Sequence, residues 1–436
     1  MLLKSFCTIW VVFFLIIAPV WPVAAMDETD DGAPPSIGGE IFGKRGGYIH
    51  GYLSVAERWT DNLFYTSDDT DSDFVTHVTP GIRLSLPGTK EDLLAISTAT
   101  TSPGGLTFDR LADPENRQFQ AYLSYSPEME FYHDHSDENT TTHSANGLVR
   151  YRVRSKLTIE AYDRYINGYE DYNSGRRSVR DDYQYNLLGM AADYDLSSKL
   201  SMRANYRHFM VDYDSAESDN RNRTDNSLAT SVYFRLLSKT ALLAQVVYTD
   251  LGYDTQYSYQ KDSTDWRYYG GLWWNITAKS RGQIKIGMGR RDYDDGSLSA
   301  EDRLIYEVLI DHHFTPKTSI RVSAYRRQNE SSIYSYDSVL THFIRLGYLQ
   351  KMTARIQASL DLEYENEAYE GRADAVSAGY YDDLDYDTYA VIPAVKYALN
   401  GWLSIGLEYC YEKREANIDY WDYTKNQIVV RLTGAI

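Results

Sequence analysis

Residues 354–369, ARIQASLDLEYENEAY, constrain the fold more than any other part of the chain. Ala354, Ile356, Ala358, Leu360, Leu362 and Tyr364 share one parity. Arg355, Gln357, Ser359, Asp361, Glu363 and Glu365 share the other. Successive side chains of a strand point to opposite faces, so this segment has one apolar face and one polar face. Ordinary strands run about 5–6 residues; this run is about twice that, with no Gly or Pro inside it. A strand needs about 9–11 tilted residues to cross a bilayer. A long strand, greasy on one side and charged on the other, suits a wall between lipid and water.

The same alternation recurs along the chain. Leu200, Met202, Ala204 and Tyr206 oppose Ser201, Arg203, Asn205 and Arg207. Ile284 and Ile286 oppose Gln283 and Lys285, Ile320 and Val322 oppose Ser319 and Arg321, and Leu403, Ile405 and Leu407 oppose Ser404, Gly406 and Glu408. The expected lipid-facing set is Leu200, Met202, Ile284, Ile286, Ile320, Val322, Ile356, Leu360, Leu362, Leu403, Ile405 and Leu407. The expected lumen-lining set is Arg203, Arg207, Arg235, Lys285, Glu307, Asp311, Arg321, Arg327, Arg355, Asp361, Glu363 and Glu365. Ala358→Arg is the substitution expected to place a charge at mid-membrane.

Connections alternate between two kinds. Tight ones carry Lys after a small residue or breaker: Ser155-Lys156, Ser198-Lys199, Ser238-Lys239, Ala278-Lys279 and Pro316-Lys317, with Gln350-Lys351 and Asn400-Gly401 continuing the series. Long ones, at 135–142, 169–182, 212–222, 292–299 and 380–385, are rich in Asp, Asn, Ser and Tyr. Short turns at one rim and long loops at the other are the asymmetry of an outer-membrane barrel. The fold class is therefore all-β: a transmembrane antiparallel up-and-down β-barrel of about 18 strands, an even number with both ends in the periplasm.

The first residues say where such a wall would be built. Lys4 precedes an apolar run at 6–21 and small residues at Val23-Ala24-Ala25. This reads as a secretory signal peptide over 1–25, and an uncleaved anchor is the alternative. Residues 26–46 read as a flexible periplasmic lead-in, 47–436 as the barrel, and 89–117 as a periplasmic excursion or an extra hairpin. The expected location is the outer membrane of a Gram-negative bacterium. Without Cys7, Cys410 stands alone, so no internal disulfide or cysteine metal cluster is available.

Composition bounds function. A net charge of -18 argues against nucleic acid as a partner. The 40 tyrosines suit membrane–water boundaries, and they suit strands in general. No cofactor and no enzymatic activity are expected. Asp311, His312, His313 and His342 are the only suggestive catalytic cluster, and adjacent His312 and His313 face opposite sides of a strand. Asp69, Asp71 and Asp73 alternate like calcium-loop ligands, but the required Gly and distal Glu are missing. Asp212, Asp214, Glu217 and Asp219 form a second acidic cluster. Solvated loops, or divalent-cation contact with anionic lipopolysaccharide, are the two readings. Tyr169, Tyr172, Tyr380 and Tyr381 read as interfacial girdle or as sugar-stacking rings.

Asp61-Asn62-Leu63-Phe64, Ser72-Asp73-Phe74, Thr79-Pro80-Gly81-Ile82 and Leu86-Pro87-Gly88 form an opening that resembles the outer-membrane β-barrel porin family called beta-barrel porin 2. Tyr125-Ser126-Pro127 with Glu130-Phe131-Tyr132 is also similar to that family's early strands. The resemblance would cover nearly the whole mature chain. It implies a passive pore or an export conduit, with exopolysaccharide export machinery as a partner, and it carries over no catalytic residues. Two other readings stand beside it: a non-conducting surface, adhesion or structural barrel, and a secreted β-propeller with repeats of about 40 residues. The unbroken run at 354–369 argues against a propeller.

Overall fold

The computed structural model describes residues 49–86, 118–153, 156–170, 172, 180–216, 218–254, 261–277, 279–296, 300–331, 333, 336–371 and 383–435. The expected leader, lead-in and excursion lie outside them. The described chain forms β1 (Ile49–Thr60), β2 (Asp73–Leu86), β3 (Phe119–Tyr132), β4 (Thr140–Val153), β5 (Leu157–Tyr169), β6 (Asp182–Asp195), β7 (Leu200–Tyr213), β8 (Arg223–Leu237) and β9 (Thr240–Tyr253). It continues with β10 (Ser263–Thr277), β11 (Ser280–Tyr293), β12 (Glu301–Thr315), β13 (Thr318–Glu330), β14 (Tyr336–Lys351), β15 (Ile356–Gly371), β16 (Asp383–Ala398), β17 (Leu403–Ala416) and β18 (Tyr423–Ala435).

Each strand pairs antiparallel with the next, and β1 pairs with β18 from Tyr52↔Ala435 to Thr60↔Gln427, so the 18-stranded sheet closes on itself. Closure removes the edges whose unpaired backbone groups hydrocarbon could not satisfy. Both described ends, Ile49 and Ala435, lie at the short-turn rim, as an even strand number requires. The blades of a propeller are absent from the described residues.

Local chemistry explains the tight turns. Ser197 Oγ accepts the backbone N–H of Leu200 at 3.1 Å, and Thr353 Oγ1 accepts that of Ile356 at 2.9 Å. Asn400 Oδ1 accepts from both Trp402 and Leu403 at 2.9 Å. Short polar side chains bonding backbone two or three residues on give the chain an alternative to the ladder, which ends one strand and starts the next. The run singled out at 354–369 is β15, starting two residues later than expected. Thr353, Ala354 and Arg355 belong to the turn before it.

The parity of each strand sorts its side chains. On β1, Ile49, Leu53 and Val55 are exposed, whereas His50, Ser54 and Ala56 are buried. On β15, Leu362 is exposed and Asp361 and Glu367 are buried. Buried charge on one parity and exposed hydrocarbon on the other identify the first as the inside of the cylinder. The apolar outer stretch of β15 runs from Ile356 to Tyr364, after which Asn366 begins a polar margin. At about 3.3 Å per residue and a tilt of about 40°, that stretch is on the order of 20–25 Å tall, the height of the apolar band of an outer-membrane barrel. Exposed aromatic side chains border the band: Phe119, Tyr151, Tyr194, Tyr348, Tyr397 and Trp402 toward the short turns, and Tyr206, Trp266, Tyr389 and Tyr409 toward the long loops.

Candidate functional site: the inner wall

The inner wall is built from alternate residues of every strand, and its charges are paired across neighbouring strands. Arg203 on β7 donates to Asp193 on β6 at 2.7 Å and lies 3.6 Å from Glu160 on β5. Arg235 meets Asp195 at 2.8 Å. Lys285 lies 2.7 Å from Glu307 and donates to Gln245 at 2.9 Å. Asp311 accepts from Arg281 and from Arg321, each at 3.1 Å. Arg345 on β14 bridges Asp361 at 3.0 Å and Glu363 at 3.2 Å. Arg327 stacks over the Tyr325 ring at 3.8 Å. Arg207 is fully buried on the inner face of β7, and Glu365 is partly buried on that of β15.

Of the residues expected to line the lumen, the structure places all but Arg355 on inner-face positions of strands. Arg355 is exposed in the turn between β14 and β15, because the chain reverses there and the parity of the strand does not extend back to it. The residues expected to face lipid all fall on the outer parity. Met202, Ile284, Ile286, Leu362, Ile405 and Leu407 are exposed, and Leu200, Ile320, Val322, Ile356, Leu360 and Leu403 are half-buried by their neighbours.

The packing of this wall is uneven. On β8 to β11 most inner side chains are buried, and Arg223, Asp225, Asp265, Arg267 and Arg291 form a dry network with Glu330 at the end of β13. Arg291 donates to Glu330 at 2.7 Å and to Asp265 at 3.3 Å, and Arg267 meets Asp265 at 2.8 Å. Tyr253 on β9 hydrogen-bonds Glu330 on β13. Several other inner charges are wetter: the side chains of Arg345, Asp193, Glu128 and Arg321 are 45%, 42%, 41% and 40% exposed.

Toward the long-loop rim the inner wall turns aromatic. Tyr185, Phe209 and Tyr213 pack together near the long-loop ends of β6 and β7, and Tyr162 and Tyr122 carry the cluster down the wall across β5 to β3. Tyr336, Tyr369, Leu384 and Tyr386 do so on β14 to β16. A third cluster joins Leu63 and Tyr65 of the β1–β2 loop to Val75, Tyr132, Tyr172 and Tyr423. Cations lie over these rings, Arg414 at 3.9 Å from Tyr386 and Arg221 at 4.0 Å from Tyr213. Tyr172 is therefore neither girdle nor an open sugar platform: it is buried, edge-on to Phe64 at 4.9 Å, and Arg180 covers it. Burial and a hydrogen bond to Glu138 push its hydroxyl pKa up. Tyr380 and Tyr381 lie outside the described residues.

The motif at 61–64 has a structural task. Asn62 is fully buried; its amide donates to the carbonyls of Thr66 at 2.8 Å and Thr424 at 3.0 Å, and its oxygen accepts the Thr66 N–H at 2.9 Å. Asp61 accepts from the backbone and side chain of Asn426, both at 2.7 Å. The motif thus locks the β1–β18 closure at its upper end. Asn62→Ala removes all three of these hydrogen bonds from the closure and costs about 1–3 kcal/mol of barrel stability, measured by urea unfolding in detergent micelles.

The catalytic and cation clusters weighed from sequence do not assemble. Asp311 points inward to its arginines, while His342 faces outward and pairs with Arg326 at 2.8 Å. Asp73 is buried and accepts from the backbone of His133 and Asp134 and from His135, so it holds the β2 rim to the β3–β4 loop. Glu217 lies outside the described residues. His77, Glu128 and Glu130 come within ligating distance of one another, but Glu130 is also held by Arg180 and Tyr132, which is the bonding of an ion-pair network.

A closed antiparallel cylinder, apolar outside and lined with paired charge inside, defines the class of outer-membrane barrels. The chain belongs to the family described as Putative beta-barrel porin 2, whose profile matches residues 117–435. The match takes in β3 and its Tyr125-Ser126-Pro127, and leaves β1 and β2 outside it, so it is shorter than the span expected from the opening motifs. No curated protein matches the chain in sequence. Among solved structures, OccK3 (OpdO) of Pseudomonas aeruginosa is 11% identical with a TM-score of 0.41, covering 89% of this chain and 95% of that one. The FrpB iron transporter of Neisseria meningitidis is 9% identical with a TM-score of 0.45, covering 90% and 83%. OccK2 (OpdF) of Pseudomonas aeruginosa, in complex with glucuronate, is 9% identical with a TM-score of 0.43, covering 89% and 98%.

Proposed function

We propose that this barrel is a non-enzymatic passage through the outer membrane of a Gram-negative cell, made after export on a cleaved leader. Its water path runs along the inner faces of β12 to β18 and β1 to β6. The uneven inner wall carries this reading: β8 to β11 are packed dry, while Arg321, Arg345, Asp193 and Glu128 stay hydrated. A wall of paired opposite charges holds its shape and also filters solutes by sign and size. The outer face meets lipid and lipopolysaccharide. Family membership favours a cell-surface polymer, an exopolysaccharide, as cargo, delivered by periplasmic export machinery.

The buried aromatic residues of the long-loop rim favour a second reading, a barrel that conducts nothing and serves the surface structurally. Planar-bilayer recording separates the two. The passage predicts discrete conductance steps from the purified protein; a stepless membrane with folded protein inserted sinks it. Arg345→Gln leaves Asp361 and Glu363 without their shared cation on the wet side. It is expected to shift reversal potential toward cation selectivity, with folding unchanged as read by heat-modifiable gel mobility.

A further inference from the structure

One feature of the outer wall is neither strand nor charge. An apolar crevice of about 740 Å³ crosses β17, β18, β1, β2 and β3. Trp402, in the turn before β17, forms its end at the short-turn rim. The indole lies 3.8 Å from where a Cβ on Gly434 would stand, so the glycine forms floor beneath it. Gly51 continues that floor on β1, with Leu53 beside both: Leu53 is paired to Gly434 on one side and to Pro80 on the other. Here two glycines on neighbouring strands, Gly51 and Gly434, leave the outer wall without side chains at adjacent places.

The inner end of the crevice lies over a break in the ladder. Pairing of β2 with β3 stops at Val78↔Met129 and resumes at Ile82↔Tyr125, and Pro80 and Pro127 stand opposite each other in the interval. Proline has no N–H to give, so neither can supply its rung. The concavity therefore runs from the rim to about mid-strand, roughly one leaflet's depth, and ends on this gap in the pairing.

From this we infer that the crevice is a resident lipid site, and that it holds one acyl chain of a phospholipid from the periplasmic leaflet. The crevice is continuous with the outer apolar face, which is the lipid interface. Its lining is almost wholly hydrocarbon, and it opens at the short-turn side, the periplasmic rim of such a barrel. Chain methylenes seated there touch the walls of the crevice as well as its floor. The site rests on the outer-membrane placement and is independent of whether the lumen conducts.

Native mass spectrometry of the barrel extracted in mild detergent tests it, with Gly434→Phe to fill the crevice beneath Trp402. Gly270→Phe serves as the control, on the outer face of β10, where nothing lies within 4 Å of the added Cβ. Wild type and the control are expected to retain one phospholipid, and Gly434→Phe to lose at least about tenfold in occupancy. Wild type that emerges without bound phospholipid overturns the site, as does retained lipopolysaccharide in its place, or equal retention by a folded Gly434→Phe. The wild-type measurement decides by itself if that variant does not fold. Loss of conductance bears on the passage alone, so the two readings fail separately.

Discussion

Arg291→Leu destabilises the folded barrel by about 3–5 kcal/mol, the usual cost of removing one member of a buried ionic network. Arg291 is 1% exposed and holds both Glu330, at 2.7 Å, and Asp265, at 3.3 Å. Without it, Asp265 keeps Arg267 and Glu330 keeps the hydroxyl of Tyr253, but the dry side of the lumen retains two carboxylates with too little positive charge. Water is held away, because Arg223, Asp225, Asp265, Arg267 and Glu330 around it are themselves buried. Arg290→Leu, one residue earlier, is the contrast. Its side chain is 51% exposed and pairs with Asp292 on the outer polar margin. Solvent screens such exposed pairs, so that variant should unfold at the same urea concentration as wild type.

Leu360→Arg is the second large effect, about 2–4 kcal/mol against folding into lipid. Leu360 lies at the centre of the outer apolar stretch of β15, paired to Tyr348 on β14 and Pro393 on β16. Because β15 begins at Ile356, Ala358 is nearer the rim than the alternation alone implies, and an arginine there can reach the interface with its head group. Ala358→Arg should therefore cost less than Leu360→Arg. Equal penalties at the two positions, read from folding into vesicles, would place the hydrocarbon centre elsewhere.

The order in which these features were legible follows their physics. Alternation has a period of two and no other requirement, so the strands, their even number and the side to which Lys285, Asp361 or Leu407 points can be read from the chain alone. Arg345 was missed because Phe343 and Leu349 share its inner face and blur the parity of β14. Its partners Asp361 and Glu363, within the cleaner alternation of β15, were the available signal. Arg355 was misplaced because a turn ends parity without announcing where. Composition makes the tyrosines one population, whereas Tyr206 and Tyr389 are outer girdle and Tyr185, Tyr213 and Tyr386 are inner packing. An amphipathic ring suits either place, and only the phase of each strand decides. The dry network of Asp265, Arg291 and Glu330 joins β10, β11 and β13, and contacts between strands that are not neighbours leave no mark in local periodicity.

Oxygen and nickel-chelate accessibility of a nitroxide, walked from position 360 to 363 in a Cys410→Ser background, addresses the facing of the wall in a single measurement. With the protein in lipid vesicles, labels at 360 and 362 should relax with dissolved oxygen and ignore the chelate, while the label at 363 responds to the chelate. Uniform accessibility along the four positions, or chelate contact at 360 and 362, would contradict a cylinder whose hydrocarbon side is the outside.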